Sequence, residues 1–253
     1  MNKINHDKSN NGFTLIELLV VIAISGILLT ATYSAFQWQH KSYHIQEEVA
    51  EMQQDLRAAM DIMVRETRMA GYDPKNSGKF GITDIRRYDL NGNLNSSGFS
   101  AITFTTDLDG DGTVDSNEII SYSIYDYGND NNLDLARKIG GSGRQLLAEN
   151  IDSFVLAYAY DDDRDGELET NASNDIIWAI DKNNDGKLEY STTSVAIDRI
   201  RAVRIWILTK TGEQDPDFLN TNTYVVGNQI ITRNDKFRRR LLTTFVQCRN
   251  MGL

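Results

Sequence analysis

"NNGFTLIELLVVIAISGILL", residues 10–29, is an apolar run with one carboxylate, Glu17, set inside it. A charged side chain in mid-bilayer costs about 2.5–3.5 kcal/mol on insertion scales, so a segment that served only as an anchor would carry leucine there. The apolar character extends over residues 13–36, FTLIELLVVIAISGILLTATYSAF, and about 20 such residues cross a bilayer as a helix. The polar residues 1–12, MNKINHDKSNNG, carry Lys3 and Lys8. Basic residues ahead of the run keep the N-terminus cytoplasmic and send the remainder across. A secretory signal is cut after its apolar part; here the candidate cut, Gly12–Phe13, lies before it, and the apolar segment stays with the mature chain.

Beyond residue 36 the apolar positions thin to a stripe, Ile45, Val49, Met52, Leu56, Ala59 and Met63, spaced as one face of a helix. Gln46, Glu47, Glu48, Gln53, Gln54 and Arg57 fill much of the remainder, and Asp61 and Arg65 stand four apart in the favourable order. No proline occurs before Pro74, and Gly71 with Pro74 ends the helix. From residue 13 to 70 such a helix is about 85 Å long at about 1.5 Å per residue. Residues 13–36 form its membrane half and 37–73 its amphipathic half.

From residue 74 to the end the pattern changes to short strands joined by Gly-, Asn- and Asp-rich turns. Strands are predicted over 100–106, 118–125, 153–160, 175–181, 200–210 and 238–249. In 153–160 Phe154, Leu156, Tyr158 and Tyr160 share one face, and Val155, Ala157 and Ala159 the other. An antiparallel sheet packed on the upper helix gives an α+β fold.

The composition narrows function. With 36 acidic and 26 basic residues among 253, the net charge is −10, which argues against a general nucleic-acid binder. Cys248 is the single cysteine, so no intrachain disulfide forms, and His6, His40 and His44 lie in the leader and early helix. No nucleophile–base pair, zinc spacing or phosphate loop is present, which argues against an envelope enzyme. The basic run KFRRR, 236–240, is either a contact with a subunit or anionic surface, or a solvated strand face; the second is the simpler reading.

Much of the acid is clustered. "DLDGDGTVDSNE", 107–118, fits a twelve-residue calcium loop at every position: Asp107, Asp109 and Asp111 at 1, 3 and 5, Gly112 at the turn, the Thr113 carbonyl at 7, Asp115 at 9 and a bidentate Glu118 at 12. Strand-like flanks predict an isolated loop inside a hairpin and not a helix–loop–helix hand. "DDDRDGELE", 161–169, offers Asp161, Asp163, Asp165 and Glu169, with Ala172 at position 12; "DKNNDGKLE", 181–189, offers Asp181, Asn183, Asp185 and Glu189, with Thr192 there. Lacking the closing glutamate, both predict weaker calcium sites than the first. As plain turns these segments need no metal, since Asp, Asn and Gly favour turns; "DLNGN" (89–93) and "NDNNLD" (129–134) are read that way.

The run from Gly12 to Leu28, GFTLIELLVVIAISGIL, resembles the class III signal of type IV prepilins and type II secretion pseudopilins. That resemblance implies cleavage after Gly12 by the prepilin peptidase and N-methylation of Phe13. Methylation keeps an amine cationic, so Glu17 would compensate the Phe13 charge in its own chain or in a neighbour. "MVRETRMAGYDP", "LLAENIDSFVLAYAY", "RIRAVRIWILTKTG" and "RRRLLTTFVQCRN" resemble PilW-type minor pilins and the J-type minor pseudopilins. The resemblance implies a pilin fold, a structural role in priming or capping a fibre, and, as partners, other pilins and the inner-membrane assembly platform. It also implies a single-pass inner-membrane form with a periplasmic head before incorporation into a pilus or pseudopilus. Two alternatives stand beside the minor pilin: a type II secretion pseudopilin and a calcium-dependent tip adhesin.

Overall fold

Helix-forming residues dominate the first quarter of the chain, and one helix, Leu15–Arg68, runs for 54 residues. The computed structural model describes residues 12–128, 130, 132–190 and 193–252; residues 1–11 of the expected leader, part of the segment 129–134 expected to form a turn, and Thr192 lie outside the described residues. The chain divides into two compact units, residues up to Glu47 and residues from Glu48 onward.

In the first unit every described residue from Gly12 to His40 is exposed. The helix is long and apolar enough here to cross a membrane. Three of its hydroxyls are satisfied internally: Thr30 donates to the Gly26 carbonyl at 2.8 Å, Thr32 to the Leu28 carbonyl at 2.8 Å and Ser34 to the Thr30 carbonyl at 2.9 Å. Polar groups closed on their own helix suit an apolar solvent.

The second unit holds the upper helix and the sheets. Leu56, Ala59, Met60 and Met63 are buried in the main core, so the 3-4 stripe points inward from Leu56 on. The helix ends where Gly71 turns at φ +76° and its N–H reaches the Thr105 carbonyl at 3.0 Å.

The strands follow in order. They begin with β1 (Ile82–Asp84), β2 (Arg87–Tyr88), β3 (Phe99–Ser100), β4 (Ile102–Thr105), β5 (Ile119–Tyr125), β6 (Asp134–Ile139) and β7 (Gln145–Ala148). They continue with β8 (Ile151–Tyr160), β9 (Leu188–Tyr190), β10 (Thr193–Val195), β11 (Ile200–Lys210), β12 (Thr223–Val226), β13 (Gln229–Thr232) and β14 (Arg239–Gln247). Among the described residues one sheet has the order β1-β4-β5-β6-β7, a second β14-β11-β8, and there are three two-stranded pairs. Neighbours pair antiparallel, and β8 and β14 flank β11 along most of its length.

Phe154, Leu156, Tyr158 and Tyr160 of β8 face the main core with Phe104 and Tyr122. Val155, on the opposite face, joins Leu208 and Val226 in a smaller core. The hairpin β12–β13 covers that outer face, which is why β8 is apolar on both sides. A charged tie joins helix to sheet: Arg137 of β6 donates to Glu66 Oε2 at 2.8 Å, and the Tyr122 hydroxyl donates to the same carboxylate.

Two expectations need correction, and one hairpin was not among the predicted strands. Residues 175–181 form no strand; Ile176, Ala179 and Ile180 make isolated bridges to Thr170, Tyr158 and Glu189, because the segment is drawn between two aspartate loops. The hairpin β12–β13 was not foreseen, although Gly227-Asn228 between apolar runs is a hairpin signal. The basic run is a solvated face only in part: Lys236 and Arg240 are exposed, but the Arg239 side chain is 2% exposed and pairs with Asp152 at 2.8 Å and Asp235 at 2.6 Å, while Arg238 pairs with Asp215 at 2.7 Å. Asp152 and Asp215 lie far away in sequence, where a local reading cannot find them.

Candidate functional site

Two places carry the chemistry singled out in the sequence. At the first, Gly12 and Phe13 precede the helix and are exposed. The backbone N–H and the hydroxyl of Thr14 both donate to Glu17 Oε2, each at 2.8 Å, and the Glu17 N–H donates to Thr14 Oγ1 at 3.3 Å. This reciprocal pair is a capping box, with Thr14 as N-cap and Glu17 third in the helix. Glu17 is therefore folded back over the helix start, where an anion also opposes the helix dipole. Its carboxylate lies one residue from the Phe13 nitrogen that cleavage after Gly12 would free. The motif T-x-x-E was present in the sequence and gives Glu17 a local role that hydropathy alone does not reveal.

At the second place, three aspartate loops repeat one hydrogen-bond frame. The carboxylate at position 1 accepts the N–H at position 6: Gly112 to Asp107 at 3.1 Å, Gly166 to Asp161 at 3.3 Å, Gly186 to Asp181 at 2.8 Å. The side chain at position 3 accepts the N–H at position 5: Asp111 to Asp109 at 3.0 Å, Asp165 to Asp163 at 3.2 Å, Asp185 to Asn183 at 3.0 Å. The carboxylate at position 5 accepts the N–H at position 7: Thr113 to Asp111 at 2.6 Å, Glu167 to Asp165 at 2.8 Å, Lys187 to Asp185 at 2.9 Å. Residues 4 and 6 are left-handed in all three: Gly110, Arg164 and Asn184 at φ +76°, +63° and +68°, then Gly112, Gly166 and Gly186 at +75°, +90° and +84°. Glycine at position 6 adopts that geometry without steric cost.

In the first loop a glutamate at position 12 closes the frame: the Leu108 N–H donates to Glu118 Oε1 at 2.7 Å. In the other two the same place is taken from position 9. The Asp162 N–H donates to Glu169 Oε1 at 3.2 Å, and the Lys182 N–H to Glu189 Oε2 at 2.5 Å. The shared D-x-[DN]-x-D-G-x-L-E pattern was the available signal, missed by counting to position 12.

Carboxylate oxygens converge in each loop. Those of Asp107, Asp109 and Glu118 lie within 4.8 Å of one another, as do those of Asp109, Asp111 and Asp115, of Asp161, Asp163 and Asp165, and of Asp181, Asp185 and Glu189. Glu169 falls outside these groups, and Asn183 stands beside the third, donating to Asp185 Oδ2 at 3.1 Å. Thr113 also donates its hydroxyl to Asp111 at 2.6 Å; that bond, with its backbone partner, holds the Asp111 carboxyl below the usual range. Asp107 and Glu118 are 0% and 1% exposed, so the first loop buries two carboxylates side by side. Hard, oxygen-only ligand sets of this kind suit calcium.

Each loop is anchored to the sheets. The first connects β4 to β5, which pair as a hairpin. The second follows β8 directly, with the Asp161 N–H on the Arg199 carbonyl at 3.0 Å. The third docks on β2 through Asn184, which accepts from the Arg87 N–H at 2.6 Å and donates to the Arg87 carbonyl at 3.0 Å. Cys248 is buried just past β14, and burial pushes its thiol up to about 12.

Comparison with known proteins gives three family matches. Residues 7–33 match the prokaryotic N-terminal methylation motif, residues 45–145 the family described as prepilin peptidase-dependent protein B, and residues 126–250 type IV pilus-assembly protein W, PilW. Among solved structures the chain is similar to a type IV-like pilin from Thermus thermophilus, at 12% identity and a TM-score of 0.41, over 79% of this chain and 97% of that one. No curated protein matches the sequence.

Proposed function

From its place as a PilW-like minor pilin of the type IV pilin family, we propose that this chain is a structural subunit that primes or caps assembly of a pilus fibre. The prepilin peptidase removes residues 1–12 and methylates Phe13. The uncut chain sits in the inner membrane as a single pass with its head in the periplasm, and the assembly platform moves it into contact with other pilins. Its work is structural, and no residue is assigned a catalytic role.

The observation that carries this reading is the apolar helix from Leu15, uncovered on every side through His40 and headed by Gly12, Phe13 and Glu17. Uncovered apolar surface of that extent needs lipid or other subunits around it. Glu17, folded back on Thr14, stands next to the position of the freed amine. A buried charge is tolerated when paired and penalised when alone, so the Phe13–Glu17 pairing, within one chain or between neighbours, favours the docked state and helps set register.

Calcium belongs to the same proposal. The first loop, Asp107, Asp109, Asp111, Thr113, Asp115 and Glu118, would hold the ion and staple the β4–β5 hairpin, in a head whose sole cysteine leaves no disulfide. Divalent charge relieves the repulsion among its carboxylates.

Mass spectrometry of the protein from its own cell tests the main reading. The expected first residue is Phe13, carrying one methyl group. A fibre-incorporated chain retaining residues 1–12 would overturn it.

A further inference from the structure

We propose that residues 161–169 form a complete nine-residue calcium loop, closed by Glu169 and needing no ligand at position 12. The inference rests on the calcium reading of the first loop and adds a second coordination frame to it.

The strongest sign is a buried carboxylate oxygen without a partner. Asp161 is 1% exposed; among the described residues its Oδ1 accepts no hydrogen bond, while Oδ2 accepts from the Gly166 N–H at 3.3 Å. An oxygen of Asp161 lies within 4.8 Å of oxygens of Asp163 and Asp165. Leaving a buried acceptor unpaired forfeits its hydration with nothing in return, and the cost is greater for a charged group. The neighbouring cation offsets its charge but does not satisfy it: Arg201 Nε forms an ion pair with the other oxygen, Asp161 Oδ2, at 3.9 Å, beyond hydrogen-bond reach, and has no hydrogen-bond partner among the described residues. The Arg201 guanidinium donates instead to the carbonyls of Asp198 at 2.8 Å and Ile200 at 3.0 Å. A hard cation among Asp161, Asp163 and Asp165 supplies the missing partner.

The fourth carboxylate comes from the fold. Glu169 is held to the Asp162 N–H, the same station at which Glu118 closes the first loop on Leu108. Its backbone is fixed as well, the Glu169 N–H on the Tyr160 carbonyl and the Ile177 N–H on the Glu169 carbonyl, each at 2.9 Å. The third loop shows that a ninth-position glutamate reaches the centre, since the Glu189 carboxylate lies within 4.8 Å of those of Asp181 and Asp185. A small swing of Glu169 toward Asp161 completes the set, with waters filling the remaining positions of a six- to eight-coordinate ion.

The test is calcium binding to the full chain in detergent, counted by equilibrium dialysis with calcium alone. Glu169→Gln and the exposed-site variant Asp163→Asn are each expected to lose one ion per chain. Asp109→Asn, in the first loop, should lose a different one. Ala172→Glu, which restores an acid at position 12, should leave binding unchanged. If Glu169→Gln and Asp163→Asn keep the full count, or if Ala172→Glu tightens binding, the nine-residue frame is wrong. Loss of all binding through Asp109→Asn would leave the first loop standing and overturn this inference. A wild-type chain that binds no calcium overturns both.

Discussion

Two roles meet at Glu17, and a conservative substitution separates them. The capping box needs a side-chain oxygen that reaches the Thr14 N–H; charge compensation needs a carboxylate. Glu17→Gln keeps the first and loses the second, whereas Glu17→Ala loses both. Loss of a cap costs about 1 kcal/mol of helix stability, too little to stop insertion or cleavage. Both variants should therefore be inserted and processed normally, yet both should be depleted from the sheared fibre fraction relative to the membrane fraction, measured by immunoblot. If Glu17→Gln incorporated like wild type, capping would account for the residue and the charge argument would fail. Asp235 gives a second handle at this scale. Hydrogen bonds from Arg239 hold its carboxyl below the usual range. The folded pKa is depressed, so the stabilisation is complete above the unfolded value near 3.9 and is lost as pH falls through that value toward the folded one. Melting temperature should drop below about pH 4, and Asp235→Asn should lower it at neutral pH while flattening that acid limb.

Among the elements, the helix and the long strands were legible because their periodicity is local. The stripe ending at Met63 points into the core, and β8 and β11 stand where alternation and β-branched runs put them. The short strands were not legible, since two- and three-residue elements such as β2, β3 and β9 exist only through their partners. The covering hairpin β12–β13 illustrates the difference. Its turn residue Gly227 has φ +62°, and a Cβ there would stand 2.5 Å from Val155 Cγ1. The hairpin thus lies close enough to β8 that only glycine fits. Gly227→Ala should destabilise the head by about 1–3 kcal/mol, the usual cost of overpacking. The check is urea unfolding, with a lower midpoint at an unchanged slope, because surface exposed on unfolding stays the same. The three aspartate loops sit between these cases: their composition and the shared glutamate at position 9 were plain in the sequence, but that Glu169 and Glu189 take the place of Glu118 is shown by their bonds to the N–H groups of residues 162 and 182.

For the whole molecule, the question is what holds a disulfide-free head with a surplus of acid. The net charge of −10 is not spread evenly, because the loops gather carboxylates at three points on the sheets. Each point is a junction: the first loop joins β4 to β5, the second continues β8, and the third clamps onto β2 through Asn184. Neutralising the loops removes repulsion and fixes all three junctions together. An ion that binds the folded state alone adds about 2.7 kcal/mol at a hundredfold excess over its dissociation constant. For a domain of this size that raises the melting temperature by about 5–10 °C per site. The full chain in detergent should therefore melt lower in chelator than in calcium, and magnesium should restore little, because it demands a tighter octahedron and parts reluctantly with water. The order of effects among variants should follow burial. Asp107→Asn, at a fully buried first position, should lower the calcium-dependent shift more than Asp115→Asn, which is exposed. If melting were the same in chelator and in calcium, the loops would be held by their own N–H to carboxylate bonds alone, and the acidic clusters would be turns whose repulsion the solvent screens.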